Sequence, residues 1–188
     1  SIDEREGIIR STGALDRETE EKYTLVVQAT NPGLPADIEP GTVIVIINVG
    51  DRNDNDPTFP GPYSALVEEN SVSGTTIITV TATDVDDPSL TRITYSIVDG
   101  ATNLFEIDAS TGVISAVSLD HEGGQEYVLT VEADDGHRDG SRTTTVSVTV
   151  TVADVNDNAP EFDAEDGKQA ASIPESASVG ASVAVVKA

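Results

Sequence analysis

The chain has 188 residues, with 34 Asp and Glu against 10 Lys and Arg, and a formal net charge of −24. So few cations exclude nucleic acid and an anionic membrane surface as natural partners, because phosphate contacts need basic residues. Cysteine is absent, which rules out disulfides and thiolate metal sites but leaves an extracellular setting open. The strand-forming stretches and 37% hydrophobic content argue against disorder and leave cation binding as the better account of the acid excess. No apolar run of ~18 residues suggests a membrane-crossing helix. No signal peptide or natural start is visible at Ser1, so the sequence reads as a window on something longer. No Asn-x-Ser/Thr acceptor occurs, so N-glycosylation is not expected.

In chain order, the first clear element is the stretch in which Tyr23, Leu25, Val27 and Ala29 alternate with Thr24, Val26 and Gln28. A period of two with β-branched residues predicts a strand with one buried face. A second strand-like stretch then runs into Asp51-Arg-Asn-Asp-Asn-Asp-Pro57, followed by Phe59. This density of carboxylates and amides makes a poor core but a good set of hard oxygen ligands, which suits Ca²⁺. Further on, Tyr127, Leu129, Val131 and Ala133 alternate like the first strand, and Val146, Val148, Val150 and Val152 alternate with Ser and Thr. Then the punctuation returns as Asp154-Val-Asn-Asp-Asn-Ala-Pro160, followed by Phe162. No helical periodicity of any length is present.

The recurrence extends to the rest of the chain. Ile2-Asp3 with Gly7-Ile8-Ile9 returns as Ile107-Asp108 with Gly112-Val113-Ile114. Leu15-Asp-Arg-Glu18 returns as Leu119-Asp-His-Glu122, and Val67-Glu-Glu-Asn70 as Ile173-Pro-Glu-Ser176. A repeat of about 104 residues with short strands and turn signals predicts an antiparallel sandwich. The expected units are the back half of one repeat (1–56), a complete repeat (57–159) and the opening of a third (160–188). The incomplete ends are expected to be less stable or partly ordered, because neither closes a core alone.

Taken together, Glu69, Asp84-Val-Asp86, Leu119-Asp-His-Glu122, Ala133-Asp-Asp135 and the 154–160 motif resemble the extracellular cadherin repeat, over the entire chain. The resemblance implies an all-β fold: tandem seven-stranded Greek-key, Ig-like sandwiches joined by Ca²⁺-binding linkers, with three ions at each full joint. It implies side-chain ligands Asp16, Glu18, Asn53, Asp54, Asp84, Asp86 and Asp135 at the first joint, with Arg52 and Asn55 giving backbone carbonyls. At the second joint it implies Glu69, Asp120, Glu122, Asn156 and Asp157, with Val155 and Asn158 as carbonyl donors.

The two-residue spacing of Asp84 and Asp86, and of Asp16 and Glu18, places each pair on one side of an extended chain, with Arg17 and His121 facing away from the ions. Without metal, the clustered carboxylates should repel and loosen the joint. Ala29-Thr-Asn31 carries Asn where the family has Asp, which predicts a weaker site upstream. The first joint lacks its upstream Glu and the second its partner Asp-x-Asp, so each is expected to hold fewer than three ions. The short loop after Asp86 lacks the usual Asn, leaving one carbonyl ligand unassigned.

The family further implies calcium-dependent cell–cell adhesion in the ectodomain of a plasma-membrane protein, binding homophilically or to another cadherin. Two other readings remain open: a matrix or surface-fibre scaffold, and spacer repeats of a secreted polysaccharide hydrolase. Paired carboxylates are also what glycoside hydrolysis requires. Here, however, they sit in duplicated joints, and only 4% of residues are aromatic, so no catalytic residue is expected. His121 and His137 read as loop residues, and Gly123-Gly124 as a turn. The Ser/Thr run over 141–151 reads as a solvated sheet face on which O-linked sugar is conceivable. Alignment of the two repeats places Val26, Ile44 and Ile46 outward, where the complete repeat has Thr130, Ser147 and Thr149. These three residues form a candidate lateral contact patch.

Overall fold

The structure is a computed structural model that describes residues 1–31, 33, 35, 39–137, 140–161 and 170–186. It divides into two compact units, Ser1–Ala153 and Asp154–Ala188.

Among the described residues the first unit has nine strands. β1 (Lys22–Ala29) and β2 (Gly41–Asn48) form an antiparallel ribbon. Seven more follow: β3 (Tyr63–Glu68), β4 (Thr75–Thr79), β5 (Thr94–Asp99), β6 (Phe105–Ile107), β7 (Val113–Ala116), β8 (Glu126–Asp134) and β9 (Thr143–Ala153). These seven make two sheets, β3-β9-β8-β5 and β4-β7-β6. The chain crosses between sheets after β3, β4, β5 and β7, which gives the expected Greek-key sandwich. β3 runs parallel to β9, while the other pairs are antiparallel.

The core follows from the alternation. Leu129, Val131 and Ala133 on β8 and Val148, Val150 and Val152 on β9 point to one side and are buried. They meet Val80, Ile114, Ala116 and Phe105 from the other sheet. Complete burial of a side chain of this kind contributes about 1.5–3 kcal/mol. Two tyrosines place their polar ends where the backbone needs them. The Tyr95 hydroxyl accepts from Ala82 N at 2.9 Å, and the Tyr63 hydroxyl donates to Thr81 O at 3.0 Å.

The same chemistry fixes the 51–57 segment at both ends. Upstream, Val49 N donates to Glu21 O at 2.9 Å, so the segment leaves beside the 16–21 loop. Downstream, Pro57 is fully buried and Thr58 exchanges two backbone bonds with Thr83, at 2.8 and 2.9 Å. Phe59 then packs edge-on to Tyr63 with ring centres 6.3 Å apart. The acidic linker is therefore held against the loop that starts at Asp84.

The second unit has no strand among its described residues. It contains two turns, closed by Ala177 N to Pro174 O at 2.9 Å and Ala181 N to Ser178 O at 3.0 Å.

Candidate metal centre

Tethering the linker at both ends brings the first-joint residues together. Carboxylate oxygens of Glu18, Asp54 and Asp86 all lie within 4.8 Å of one another. Ca²⁺ bound at ~2.3–2.6 Å requires ligand oxygens no more than about 5 Å apart, so this spacing fits. Asp86 is buried and accepts from Asn55 twice, backbone N at 3.1 Å and Nδ2 at 2.7 Å. Asp86 N in turn donates to Asp84 Oδ1 at 2.9 Å. Asn53 Nδ2 donates to Asp135 Oδ2 at 2.8 Å and to the Gly140 carbonyl at 3.2 Å.

Two oxygens in this network lack hydrogen-bond partners. Asp84 Oδ2 and Asn53 Oδ1 are both buried and have no hydrogen-bond partner. A buried oxygen left in this way costs on the order of 1–3 kcal/mol. Both belong to residues that the motifs assign as ligands. A hard cation is the natural partner for such oxygens, so the donor set fits Ca²⁺.

The protonation tendencies agree with a crowded acidic site. Burial, and then the charges of Asp86 and Asp135, raise the Asp84 pKa above the usual carboxylate range. Burial also works to raise Asp135. Hydrogen bonds from His137 N, Asn53, Arg142 N and Ser141 outweigh it and hold Asp135 below its ordinary value. Asp135 is thereby kept as an anion in the interior, and Asp84 carries the repulsion that a cation would relieve.

Two expectations need correction. Asp16 and Glu18 do not share a side by virtue of an extended chain. Residues 16–20 form a turn, closed by Glu20 N to Asp16 O at 3.0 Å, and Asp16 Oδ1 accepts from Glu18 N at 3.1 Å. Asp84 and Asp86 are likewise joined by a local side-chain-to-backbone bond. In a turn the intervening residue is not forced to the opposite face. Arg17 accordingly points into the joint, where its Nε lies 2.7 Å from Asp51 Oδ1 and its Nη2 donates to Val85 O at 2.8 Å. Arg17 and Asp51 are the participants that sequence reasoning missed. Asp51 was visible as the first acid of its motif.

Arg52 lies in the linker and is exposed. Of the residues assigned to the second joint, Glu69 is buried in the first unit, and its Oε2 accepts from His121 N at 2.7 Å. Asp120 and Glu122 are exposed on the adjoining turn, where Asp120 Oδ1 accepts from Glu122 N at 3.1 Å. Val155, Asn156, Asp157 and Asn158 are exposed in the second unit, with Asn158 Nδ2 donating to Asp157 Oδ1 at 2.9 Å. Asn31 caps a local turn by accepting from Gly33 N at 3.2 Å. Away from the joint, Val26 lies directly opposite Ile44 on the β1–β2 ribbon, and Thr24 opposite Ile46. Val26, Ile44 and Ile46 are 70%, 64% and 54% exposed.

Comparison with known proteins bears on the same features. A family model described as the cadherin domain matches residues 1–48 and 63–153. Cadherin-7 of Mus musculus is 41% identical over 194 residues, covering 100% of this chain and 24% of the relative. Among solved structures, mouse cadherin-23 EC22–24 aligns with a TM-score of 0.77 at 34% identity, covering 93% of this chain and 56% of that one. The protocadherin gammaB7 EC3–6 cis-dimer aligns at 0.73 and 33%, covering 79% and 37%. The chain thus spans about a quarter of the length of the curated relatives it matches.

Proposed function

We propose that this chain, which belongs to the cadherin family, is a run of tandem repeats in a calcium-dependent adhesive ectodomain, in which Ca²⁺ clamps the joints. The repeat boundaries in this reading are 1–56, 57–159 and 160–188. The segment lies outside the cell, and no helix among the described residues is long and apolar enough to cross a membrane.

The observation that carries the reading is the pair of buried, unpartnered oxygens, Asp84 Oδ2 and Asn53 Oδ1, beside the converging carboxylates of Glu18, Asp54 and Asp86. Asp16, Asp135 and the carbonyls of Arg52 and Asn55 complete the candidate shell. At the second joint Glu69, Asp120 and Glu122 are the ligands on one side, and Val155, Asn156, Asp157 and Asn158 those on the other. When bound, the ion supplies the positive charge that offsets this acidity. The protein's own contribution is to hold the linker by Val49 and Pro57, to anchor Asp86 with two hydrogen bonds from Asn55, and to keep Asp135 as an anion. The result is a stiff joint, so repeats that would swivel present a partner surface at a set angle. The role is mechanical and involves no catalysis.

Trypsin cleavage at Arg52 tests this. At ~2 mM Ca²⁺, above the ~10⁻⁴–10⁻³ M affinity of extracellular calcium modules, cleavage should be suppressed, and chelator should restore it. Equal cutting in both conditions would sink the clamp and leave an ordinary acidic linker.

The partner in this reading is a cadherin ectodomain, either another copy or a related chain. Val26, Ile44 and Ile46 support a lateral contact on the β1–β2 ribbon, because three exposed aliphatics share one face without an intervening acid. Replacing Ile44 and Ile46 by Thr keeps the strand propensity and removes apolar area. Sedimentation at matched concentrations should then show weaker self-association, and an unchanged distribution would eliminate the patch.

A further inference from the structure

Arg17 stands between two candidate ligands, Asp16 and Glu18, yet its own role is not explained by ion binding. Its guanidinium engages Asp51, Glu18 and Val85, which are far apart in sequence, and at longer range Glu21. Nε forms an ion pair with Asp51 Oδ1 at 2.7 Å, a contact without the alignment of a hydrogen bond. Nη2 lies 2.7 Å from Glu18 Oε1 and donates to the carbonyl of Val85 at 2.8 Å. The Arg17 side chain is only 17% exposed, and that of Asp51 only 8%.

The geometry around Asp51 makes this more than a surface pair. While Oδ1 faces Arg17, Oδ2 accepts the backbone N–H of Asp87. Arg17 thus holds the carbonyl of residue 85 directly and, through Asp51, the amide of residue 87. Between those two atoms lies Asp86, and immediately before them Asp84. Asp84 and Asp86, two of the carboxylates that the second repeat brings to the site, are therefore fastened to the first repeat by this side chain, alongside the two hydrogen bonds that Asn55 of the linker gives Asp86. Exposed ion pairs usually contribute little. Here the pair is largely screened from water and the carbonyl contact needs no second charge. Only a planar fork reaches all three acceptors, which a lysine ammonium does not. The corresponding residue of the next motif is His121, which has no such fork.

We infer that Arg17 is a positioning residue of the calcium centre, a charge built into the chain that docks the 84–87 loop on the linker before any ion binds. The affinity part of this inference rests on the calcium reading, whereas the docking part does not. An ion that binds only the docked joint has an apparent Kd equal to its intrinsic Kd divided by the docked fraction. Loss of docking should therefore appear as the same factor in loop protection and in calcium affinity.

The test compares the full chain with Arg17→Gln and Arg17→Lys, using hydrogen exchange at the Asp87 amide in chelator and calorimetric titration with Ca²⁺. Arg17→Gln should speed Asp87 exchange about tenfold and weaken the apparent calcium Kd by the same factor, a typical size for coupling between sites. Arg17→Lys should fall between the two. Amides of Leu129 and Val131 serve as the folding control and should stay protected in all three. Unchanged exchange at Asp87 in Arg17→Gln, or tighter calcium binding, overturns the inference. If the parent chain binds no Ca²⁺ while Arg17→Gln still deprotects Asp87, the calcium reading falls and the docking role stands.

Discussion

Leu25 and Val27 on β1 stand where Leu129 and Val131 stand on β8, and Val45 and Ile47 on β2 where Val148 and Val150 stand on β9. The register matches as well. Leu25 opposes Val45 and Leu129 opposes Val148, while Tyr23 opposes Ile47 and Tyr127 opposes Val150. Even so, Leu129, Val131, Val148 and Val150 are fully buried, and their four counterparts are half-exposed. Around β8 and β9 lie β5 and β3 at the edges, with the β4-β7-β6 sheet across the apolar face. β1 and β2 touch each other and no other strand of the described residues. Alternation therefore determines that a ribbon forms and which face is apolar, but burial is conferred by the opposing layer.

The sharpest way to break this comparison is the same deletion in both ribbons. Leu129→Ala leaves a cavity in a close-packed site and should cost about 2–5 kcal/mol. Leu25→Ala should cost less than about 1 kcal/mol, because its side chain already meets water. Urea unfolding followed by circular dichroism gives both values. If Leu25→Ala proves as costly as Leu129→Ala, the β1–β2 ribbon has a packed partner in solution and the contrast is wrong.

The comparison also explains what the sequence revealed and what it hid. Strands and sandwich class were legible because they depend on local alternation and on motifs that recur. The convergence of Glu18, Asp54 and Asp86 was legible because each sits in a short motif with a defined place in the repeat. The reason for that convergence was not. Spacing in an extended chain suggested that Asp16 and Glu18 share a side, whereas a turn brings them together. The same error turned Arg17 outward, and its contact with Val85 spans 68 residues, beyond any local pattern. Likewise, nothing local marks Asn53 as the residue whose amide nitrogen is spent on Asp135 while its oxygen stays without a donor.

A smaller effect sharpens the comparison at one turn. Asp3 accepts from the amides of Arg5 and Glu6, and Asp108 from those of Ser110 and Thr111. Each turn ends in a glycine with positive φ, 69° at Gly7 and 70° at Gly112, which a side chain tolerates poorly. Alanine at either position carries the left-handed strain of about 1–2 kcal/mol. At Gly7 an added Cβ meets nothing within 4 Å, but at Gly112 it falls 2.2 Å from the Val80 carbonyl oxygen. That carbonyl belongs to the backbone just after β4, so it cannot rotate away, and overpacking there adds about 1–3 kcal/mol. Gly112→Ala should therefore lower the urea midpoint clearly, while Gly7→Ala should cost the smaller, strain-only amount. Equal losses would mean that conformational strain alone governs both turns and that the backbone after β4 does not press on the Gly112 turn. A larger loss at Gly112 would show the neighbouring strand β4 of the same sheet acting through backbone contact, a packing partner that the Gly7 turn lacks among the described residues.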